Sequence, residues 1–282
     1  MFRQYFLVLV ALLSLSVPAW SMEIAFAPLP MENRETVLKQ FMPMAVYLRQ
    51  ALGLEIRFEY SDSYEEILEK FQTGIIDLAY LGPLPYVSLK TKANHAEPLV
   101  HFREADGQSA YTCAIVAMTD RKIDLAGLFN QKIALTQPLS TCGFLSTSGL
   151  LRKNGSNLAR NLYRYLDKHD EVALAVVRGE YVLGGLKTAI ARKYAHLGLE
   201  VLAETAPLPA FALIANGKTL DVETRTRLRD ALASLDPAGA DKGMLALWGD
   251  NIRHGSTPAK DQDYAPVRAL LGEENIPTAG NF

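Results

Sequence analysis

The chain has 282 residues, 49% of them hydrophobic, and its 29 lysine and arginine residues nearly balance its 31 acidic residues, giving a net charge of −2. This balance provides no basic surface for nucleic acid or for an anionic membrane, so we predict neither as a partner. The length is sufficient for two modest domains, each with its own hydrophobic core.

Residues 1–21 have the pattern of a secretory signal peptide. Arg3 supplies the positive charge, Phe6–Val17 the apolar core, and Ala19–Ser21 the small residues of a cleavage site. The apolar run is short for a membrane span, and no cysteine lies at the cleavage site to carry a lipid. An uncleaved anchor is the alternative; we predict cleavage, a mature chain beginning near Met22, and a periplasmic location.

Short apolar strands alternate with amphipathic helices in the first part of the mature chain. The pattern predicts strands over 24–28, 54–60 and 75–80, a helix that includes 41–52 and ends at Gly53, and a helix over 63–73. A β-α-β-α-β order predicts a parallel sheet, whose ligands bind beyond the carboxyl ends of the strands. This rule indicates the loops 28–34, 61–64 and 81–85.

A long strand over 110–118 is predicted to open a second unit. Further predicted elements are helices at 125–130, 145–153, 170–178 and 225–235, a strand over 132–136, a strand end running into a basic helix over 183–195, and a return crossing over 201–214. Two α/β lobes joined by two crossing strands would enclose a ligand cleft. We assign 22–110 and 207–282 to the first lobe and 111–206 to the second.

The segment Pro138–Leu145 follows a predicted buried strand and leads into a helix. The free N–H groups of a first helical turn and the helix dipole favour an anion, and Ser140 and Thr141 add two hydroxyl donors. The same residues would also serve as an ordinary helix cap without a ligand.

Five segments in this order resemble the periplasmic phosphonate-binding proteins, and their phosphite- and phosphate-binding relatives, that serve ABC importers: Ser63–Leu68, Gly74–Tyr86, Ser109–Tyr111, Ser140–Leu145 and His169–Val176. The resemblance covers nearly all of the mature chain and implies the type II periplasmic binding protein fold. It also implies a binding protein rather than an enzyme, a small oxyanion as ligand, an inner-membrane ABC permease as partner, no cofactor, and a monomer.

The resemblance further implies which residues bind the ligand. The family holds its oxyanion with a Ser-Thr-Ser triplet at a helix start, two tyrosines and a histidine, which correspond here to Ser140, Thr141, Cys142, Tyr64, Tyr111 and His169. Hydroxyl and N–H groups would donate to the anionic oxygens, and a protonated histidine would add a charge-assisted bond. Ordinary packing of the tyrosines and helix capping by the histidine are the alternatives.

The chain departs from this family at the place that receives a ligand's ammonium group. Ala189 and Phe211 stand where relatives have two acids. A buried ammonium group would be left unpaired there, so we predict that aminoethylphosphonate is not the ligand. Lys187 lies close to one of these places, and we predict that it contacts a neutral or anionic end of the ligand.

Cys142 replaces the last serine of the triplet, and Cys113 is the only other cysteine. A disulfide, reactive free thiols and inert free thiols are all open, because an oxidising compartment favours the bond while a helix N-terminus activates a thiol. Free thiols would favour a second hypothesis, a sensory protein for arsenite or tetrathionate that reports to a histidine kinase. Catalysis by Cys142 and His169 lacks an orienting acid, and the histidines lack metal-ligand spacing, so we predict no enzyme and no metal site.

Overall fold

The computed structural model describes residues 22–282, so the predicted signal peptide lies outside the described residues. The strands of this part are β1 (Met22–Ala27), β2 (Leu54–Phe58), β3 (Leu78–Leu81), β4 (Ala96–Phe102), β5 (Ala110–Tyr111), β6 (Cys113–Met118), β7 (Lys132–Leu135), β8 (Leu162–Tyr165), β9 (Leu183–Lys187), β10 (Leu199–Glu204), β11 (Leu208–Pro209), β12 (Ala212–Asn216) and β13 (Ser256–Pro258). The helices are α1 (Arg34–Leu52), α2 (Tyr64–Gln72), α3 (Pro83–Lys92), α4 (Ser146–Lys153), α5 (His169–Val177), α6 (Thr188–Lys193), α7 (Val222–Ala233), α8 (Lys242–Leu245) and α9 (Ala265–Leu271). None of the helices from residue 22 onward is long and apolar enough to cross a membrane.

The helices of the first lobe begin and end at residues with clear roles. Asn33 caps α1 by accepting a hydrogen bond from the N–H of Thr36 at 2.9 Å, and Gly53 ends it in the left-handed conformation with φ 70°. Ser63 caps α2 by accepting from the N–H of Glu66 at 3.2 Å. Local capping hydrogen bonds therefore fix where α1 and α2 begin, on the side of the sheet where β1 and β2 end.

The first sheet has six strands in the order β13-β4-β12-β3-β1-β2. β1 pairs in parallel with both β2 and β3, as the β-α-β-α-β pattern predicts. β12 inserts antiparallel between β3 and β4. The chain therefore leaves this sheet, builds the second one, and returns to complete the first.

The second sheet has five strands in the order β10-β6-β9-β7-β8. β7 is parallel to β8 and β9, whereas β6 is antiparallel to β9 and β10. Separate clusters of buried apolar side chains pack against this sheet and against the first. The molecule therefore has two α/β lobes.

The chain crosses between the sheets after β4 and again after β10. The two crossings pair with each other, since β5 and β11 form an antiparallel ribbon with Tyr111 opposite Leu208 and Ala110 opposite Pro209. This confirms the prediction of two crossing strands. The crossing predicted over 201–214 is divided among β10, β11 and β12, because the sheet partner changes twice along it.

The C-terminal segment after α9 runs back to the second lobe. Glu274 accepts hydrogen bonds from Ser148 at 2.8 Å and from Arg152 at 2.7 Å, both on α4. Farther on, the N–H of Asn281 donates to the carbonyl of Tyr163 in β8 at 3.0 Å. β8 is an edge strand, so its outer backbone groups are free to pair with this segment. The assignment of all of 207–282 to the first lobe stays a prediction.

Two predicted elements differ from the structure. The helix predicted over 125–130 does not form, because the side chain of Asp124 accepts from the N–H of Ala126 at 3.0 Å and stabilises a turn instead. The predicted loop 81–85 is the start of α3, with Pro83 at its first position, where the missing N–H has no intrahelical partner to lose.

Gly185 in β9 allows the start of α4 to lie directly on the second sheet. A Cβ atom there would overlap the Thr147 hydroxyl and lie 3.1 Å from the Cys142 carbonyl oxygen. We expect Gly185→Ala to lower the free energy of unfolding by about 1–3 kcal/mol through overpacking, measured by urea denaturation.

Gly243→Ala is the matched control, because a Cβ at that position meets open space. Gly243 lies in α8, so alanine there should leave stability unchanged or raise it by up to about 1 kcal/mol. Equal stability of the two variants would show that Gly185 is not required for this contact.

Candidate functional site

A small enclosed cavity lies between the two lobes. Its volume is ≈10 Å³, about the room that one water molecule needs. Its walls are formed by Leu29, Tyr64, Gly82, Pro85, Tyr111, Ser140, Thr141, Cys142, His169, Lys187 and Phe211. All seven side chains predicted to bind a ligand are therefore brought together here, and their role in binding stays a prediction.

The position of the cavity follows from the topology of the two sheets. Leu29 follows the carboxyl end of β1 and Gly82 that of β3, while Ser140 follows β7 and Lys187 is the last residue of β9. Parallel strands present their carboxyl ends at one edge, where α/β proteins bind their ligands. The ribbon of β5 and β11 supplies Tyr111 between the lobes.

Five helix starts meet at the cavity: α2 begins at Tyr64 and Lys187 caps α6, and three others lie beside them. Gly82 caps α3, Ser140 caps the π-helical turn Thr141–Leu145 that leads into α4, and α5 begins at His169. The N–H groups of a first turn lack intrahelical acceptors, and each helix dipole places partial positive charge at this end. The arrangement favours an anion in the cavity.

The π-helical turn has a backbone kink at Gly143, with φ −74° and ψ −111°. A Cβ atom there would lie 2.6 Å from the Thr136 hydroxyl and 3.0 Å from the Gln137 carbonyl oxygen, so only glycine fits. The Gly143 N–H donates to the carbonyl of Ser140 at 3.1 Å. This turn presents Ser140, Thr141 and Cys142 together on the cavity wall.

Thr141 connects the two lobes across the site. Its hydroxyl oxygen accepts from the N–H of Leu84 in α3 at 3.0 Å. Helix starts from different lobes are thereby joined at the cavity.

The two cysteines form a disulfide between β6 and the π-helical turn, with 5.0 Å between the Cα atoms of Cys113 and Cys142. This resolves the three possibilities in favour of the bond. A disulfide sulfur carries no hydrogen, so the Cys142 side chain supplies no donor. Its contribution is to hold the turn against the second sheet.

Both cavity tyrosines are buried, and burial raises the pKa of each hydroxyl above its ordinary value. Tyr64 and Tyr111 therefore remain protonated and act as hydrogen-bond donors at neutral pH. The backbone N–H of Tyr64 also donates to the side-chain oxygen of Gln137 at 3.3 Å, which ties the start of α2 to the loop after β7.

His169 is neutral in this structure. Its Nδ1 accepts from the N–H of Lys187 at 3.1 Å, so the ring proton lies on Nε2. Burial, together with the charge of Lys187, lowers the pKa of His169 to about 4. The charge-assisted bond expected from a protonated histidine is therefore replaced by donation from a neutral Nε2–H.

Glu104 lies near the cavity, and no sequence motif pointed to it. Both of its carboxylate oxygens lie 2.7 Å from the Lys187 ammonium, which also lies 5.1 Å from the ring centre of Tyr111 and 5.6 Å from that of Phe211. Ala189 lines a neighbouring cavity together with Glu104, whereas Phe211 lines the central one. Glu104 lies in a crossing segment without a motif, so only the folded structure pairs it with Lys187.

Between residues 22 and 282, no three histidine, cysteine or carboxylate side chains are grouped so as to hold a metal ion.

Comparisons with known proteins agree on one family. A family model described as the periplasmic substrate-binding protein of a phosphonate ABC transporter matches residues 26–264. The phosphate-import protein PhnD of Mycolicibacterium smegmatis is 26% identical over 271 residues, covering 87% of this chain and 84% of that protein.

Solved structures show the same fold. PhnD1 from Prochlorococcus marinus in complex with methylphosphonate superposes with a TM-score of 0.76 at 17% identity, over 89% of this chain and 97% of that one. A binding protein component of an ABC phosphonate transporter from Pseudomonas aeruginosa gives a TM-score of 0.73 at 21% identity, over 89% and 85%. The type II fold is thus confirmed, and the sensory alternative finds no support among these proteins.

We expect removal of the disulfide to lower the free energy of unfolding by about 3 kcal/mol, since it closes a loop between residues 29 positions apart. The measurement is urea denaturation of the double variant Cys113→Ser/Cys142→Ser beside the wild type. A reductant should lower the wild-type stability towards that of the variant and leave the variant unchanged. A wild type that loses no stability on full reduction would contradict this role.

The lowered pKa of His169 predicts acid sensitivity. An unfolded histidine takes up a proton near pH 6.5, while the folded one resists it until about pH 4, so stability falls across this interval as the pH decreases. The free energy of unfolding of the wild type should fall by about 3 kcal/mol more than that of His169→Gln between pH 7 and pH 4. His196→Gln, at an exposed histidine, is the control and should follow the wild type.

Proposed function

Because the chain belongs to the family of periplasmic substrate-binding proteins of phosphonate ABC transporters, we propose that the central cavity captures a compact tetrahedral oxyanion. Phosphonate, phosphite and phosphate are the candidates. The family assignment makes the chain the ligand-binding component of an importer, with a membrane permease as partner, rather than an enzyme.

The observation that carries this proposal is the set of donors around the cavity. Five helix starts lie around it, together with the hydroxyl groups of Ser140, Tyr64 and Tyr111 and the Nε2–H of His169. No aspartate or glutamate lies among its lining residues. Donors that hold their protons need an acceptor, and an oxyanion provides several acceptor atoms in a small volume.

We propose individual roles for the seven predicted residues. Ser140 and the first turn of the following helix, including Thr141 and Cys142, cradle the anion, with Cys142 contributing its backbone N–H alone. Tyr64 donates from the first lobe, and Tyr111 donates from the crossing ribbon. His169 donates from the second lobe as a neutral ring, and Lys187 adds positive charge to the wall, moderated by Glu104.

The size of the cavity supports a compact ligand and a closing motion. A volume of ≈10 Å³ is too small to admit an oxyanion without separation of the walls. The lobes are joined by the narrow β5–β11 ribbon, the kind of connection about which lobes rotate during ligand capture. The ligand would enter an open form and be enclosed as the lobes close.

Two named relatives support a ligand without an ammonium group. The Mycolicibacterium protein is named for phosphate import, and the Prochlorococcus structure contains methylphosphonate. Neither anion would require the two acids whose places Ala189 and Phe211 take in this chain. We further propose that the protein acts as a monomer, that residues 1–21 direct it to the periplasm, and that the lobes comprise 22–110 with 207–282 and 111–206.

The test is isothermal titration of the mature protein with phosphite, methylphosphonate and phosphate. Ser140→Ala and Tyr111→Phe should each weaken binding of the preferred anion at least tenfold, about 1.4 kcal/mol, because each removes one donor from a desolvated site.

Ser234→Ala is the matched control, at an exposed serine that ends α7. Unchanged affinity in both site variants would remove the cavity from ligand binding. Titrations with arsenite and tetrathionate complete the experiment: binding of only these two would favour a thiophilic ligand and contradict the proposal.

A further inference from the structure

We propose that Lys187 determines the specificity of this site. Its ammonium group, held by Glu104, fills the space beside the oxyanion cradle and excludes ligands that carry an ammonium group of their own. The inference rests on the proposed function, because it presupposes an oxyanion in the central cavity.

The Lys187 ammonium already has the contacts that a bound cation would receive. Glu104 binds it with both carboxylate oxygens at 2.7 Å, and the rings of Tyr111 and Phe211 lie 5.1 and 5.6 Å from it. The Lys187 side chain is 12% exposed and that of Glu104 is 23% exposed, so the pair is largely withdrawn from water. A carboxylate with aromatic faces is a recognition site for an ammonium group.

Lys187 lines three neighbouring cavities. The central cavity shares Leu29, His169, Lys187 and Phe211 with a cavity of ≈70 Å³. A third, of ≈190 Å³, is lined by Lys187 and Glu104 and shares Tyr111 with the central cavity. Shortening this side chain would enlarge the space beside the cradle and leave the Glu104 carboxylate without its ammonium partner.

The pairing with Glu104 distinguishes this role from direct binding of the anion. A lysine whose charge is matched by a carboxylate at 2.7 Å adds little net attraction for a second anion. The backbone N–H of Lys187, in contrast, donates to Nδ1 of His169 and sets its tautomer. A side-chain substitution keeps that backbone bond, so the histidine donor is retained when the stem is shortened.

The experiment compares binding of 2-aminoethylphosphonate with binding of methylphosphonate by titration calorimetry. In the wild type the amino compound should bind at least 100-fold more weakly. In Lys187→Ala the ratio of the two dissociation constants should fall at least tenfold, because the ammonium group of the ligand replaces that of the lysine. Lys187→Ser is the second small variant and should behave in the same way if the alanine variant folds poorly.

Further variants separate the effect of the Lys187 charge from the effect of the space that its side chain occupies. Lys187→Met retains the stem without the charge and should not gain the amino ligand. Glu104→Gln combined with Lys187→Ala should lose the gain for 2-aminoethylphosphonate while keeping any gain for propylphosphonate, an anion of similar size that lacks the ammonium group. Lys193→Ala, at an exposed lysine paired with Asp170, is the matched control and should show the wild-type ratio.

Three outcomes would overturn the proposal. They are a wild type that binds the amino compound as tightly as methylphosphonate, an unchanged ratio in both small variants that still bind methylphosphonate, and folded small variants that bind no oxyanion. The last outcome would make Lys187 a direct ligand of the anion. If the wild type itself binds no oxyanion, the proposed function fails, which is a distinct result.

Discussion

An anion that enters a closed protein cavity loses its hydration, and its oxygens must then be satisfied by donors that the protein has placed in advance. The walls of this cavity meet that requirement with backbone N–H groups, hydroxyl groups and one neutral imidazole. Burial keeps the protons on Tyr64 and Tyr111 and keeps His169 uncharged with a single ring proton. For the proposed oxyanion, donors are thus fixed before it enters, which would limit the reorganisation needed for binding.

The same requirement explains why the site lies between two lobes instead of within one. Helix starts of both lobes line the cavity: α2 and α3 belong to the first, and the turn after β7, α5 and α6 belong to the second. Thr141 joins the two lobes, since it accepts from the N–H of Leu84 in the first. The disulfide of Cys113 and Cys142 fixes the turn that carries Thr141. The turn that carries Thr141 therefore both joins the two lobes and aligns the donors at the cavity.

Much of this architecture follows from local sequence patterns. The parallel β1-β2-β3 arrangement follows from apolar strands alternating with capped helices, and Gly53 and Ser63 mark helix boundaries where expected. Six of the predicted binding residues were selected by their likeness to a family and Lys187 by its place beside a missing acid, and strand topology independently leads to the same edge. Contacts between segments far apart in the sequence could not be predicted from local patterns. Glu104 is 83 positions from Lys187 in the chain, and no periodicity connects them.

The helix prediction that was wrong and the properties that the sequence left open have a comparable physical origin. The helix predicted at 125–130 was too short to prevail against the side-chain hydrogen bond of Asp124. The redox state of the cysteines depends on the distance between two Cα atoms, which only the fold determines. The protonation of His169 depends on its burial and on the charge of Lys187, neither of which a helix-start motif reveals.

The C-terminal segment sets a limit on how far the lobes can separate. α9 packs on α3 of the first lobe, and Glu274, three residues beyond the end of α9, is bound to Ser148 and Arg152 of the second. Three extended residues span about 10 Å. While these bonds hold, the segment is a second, short connection between the lobes beside the ribbon, and none of its residues lines the central cavity.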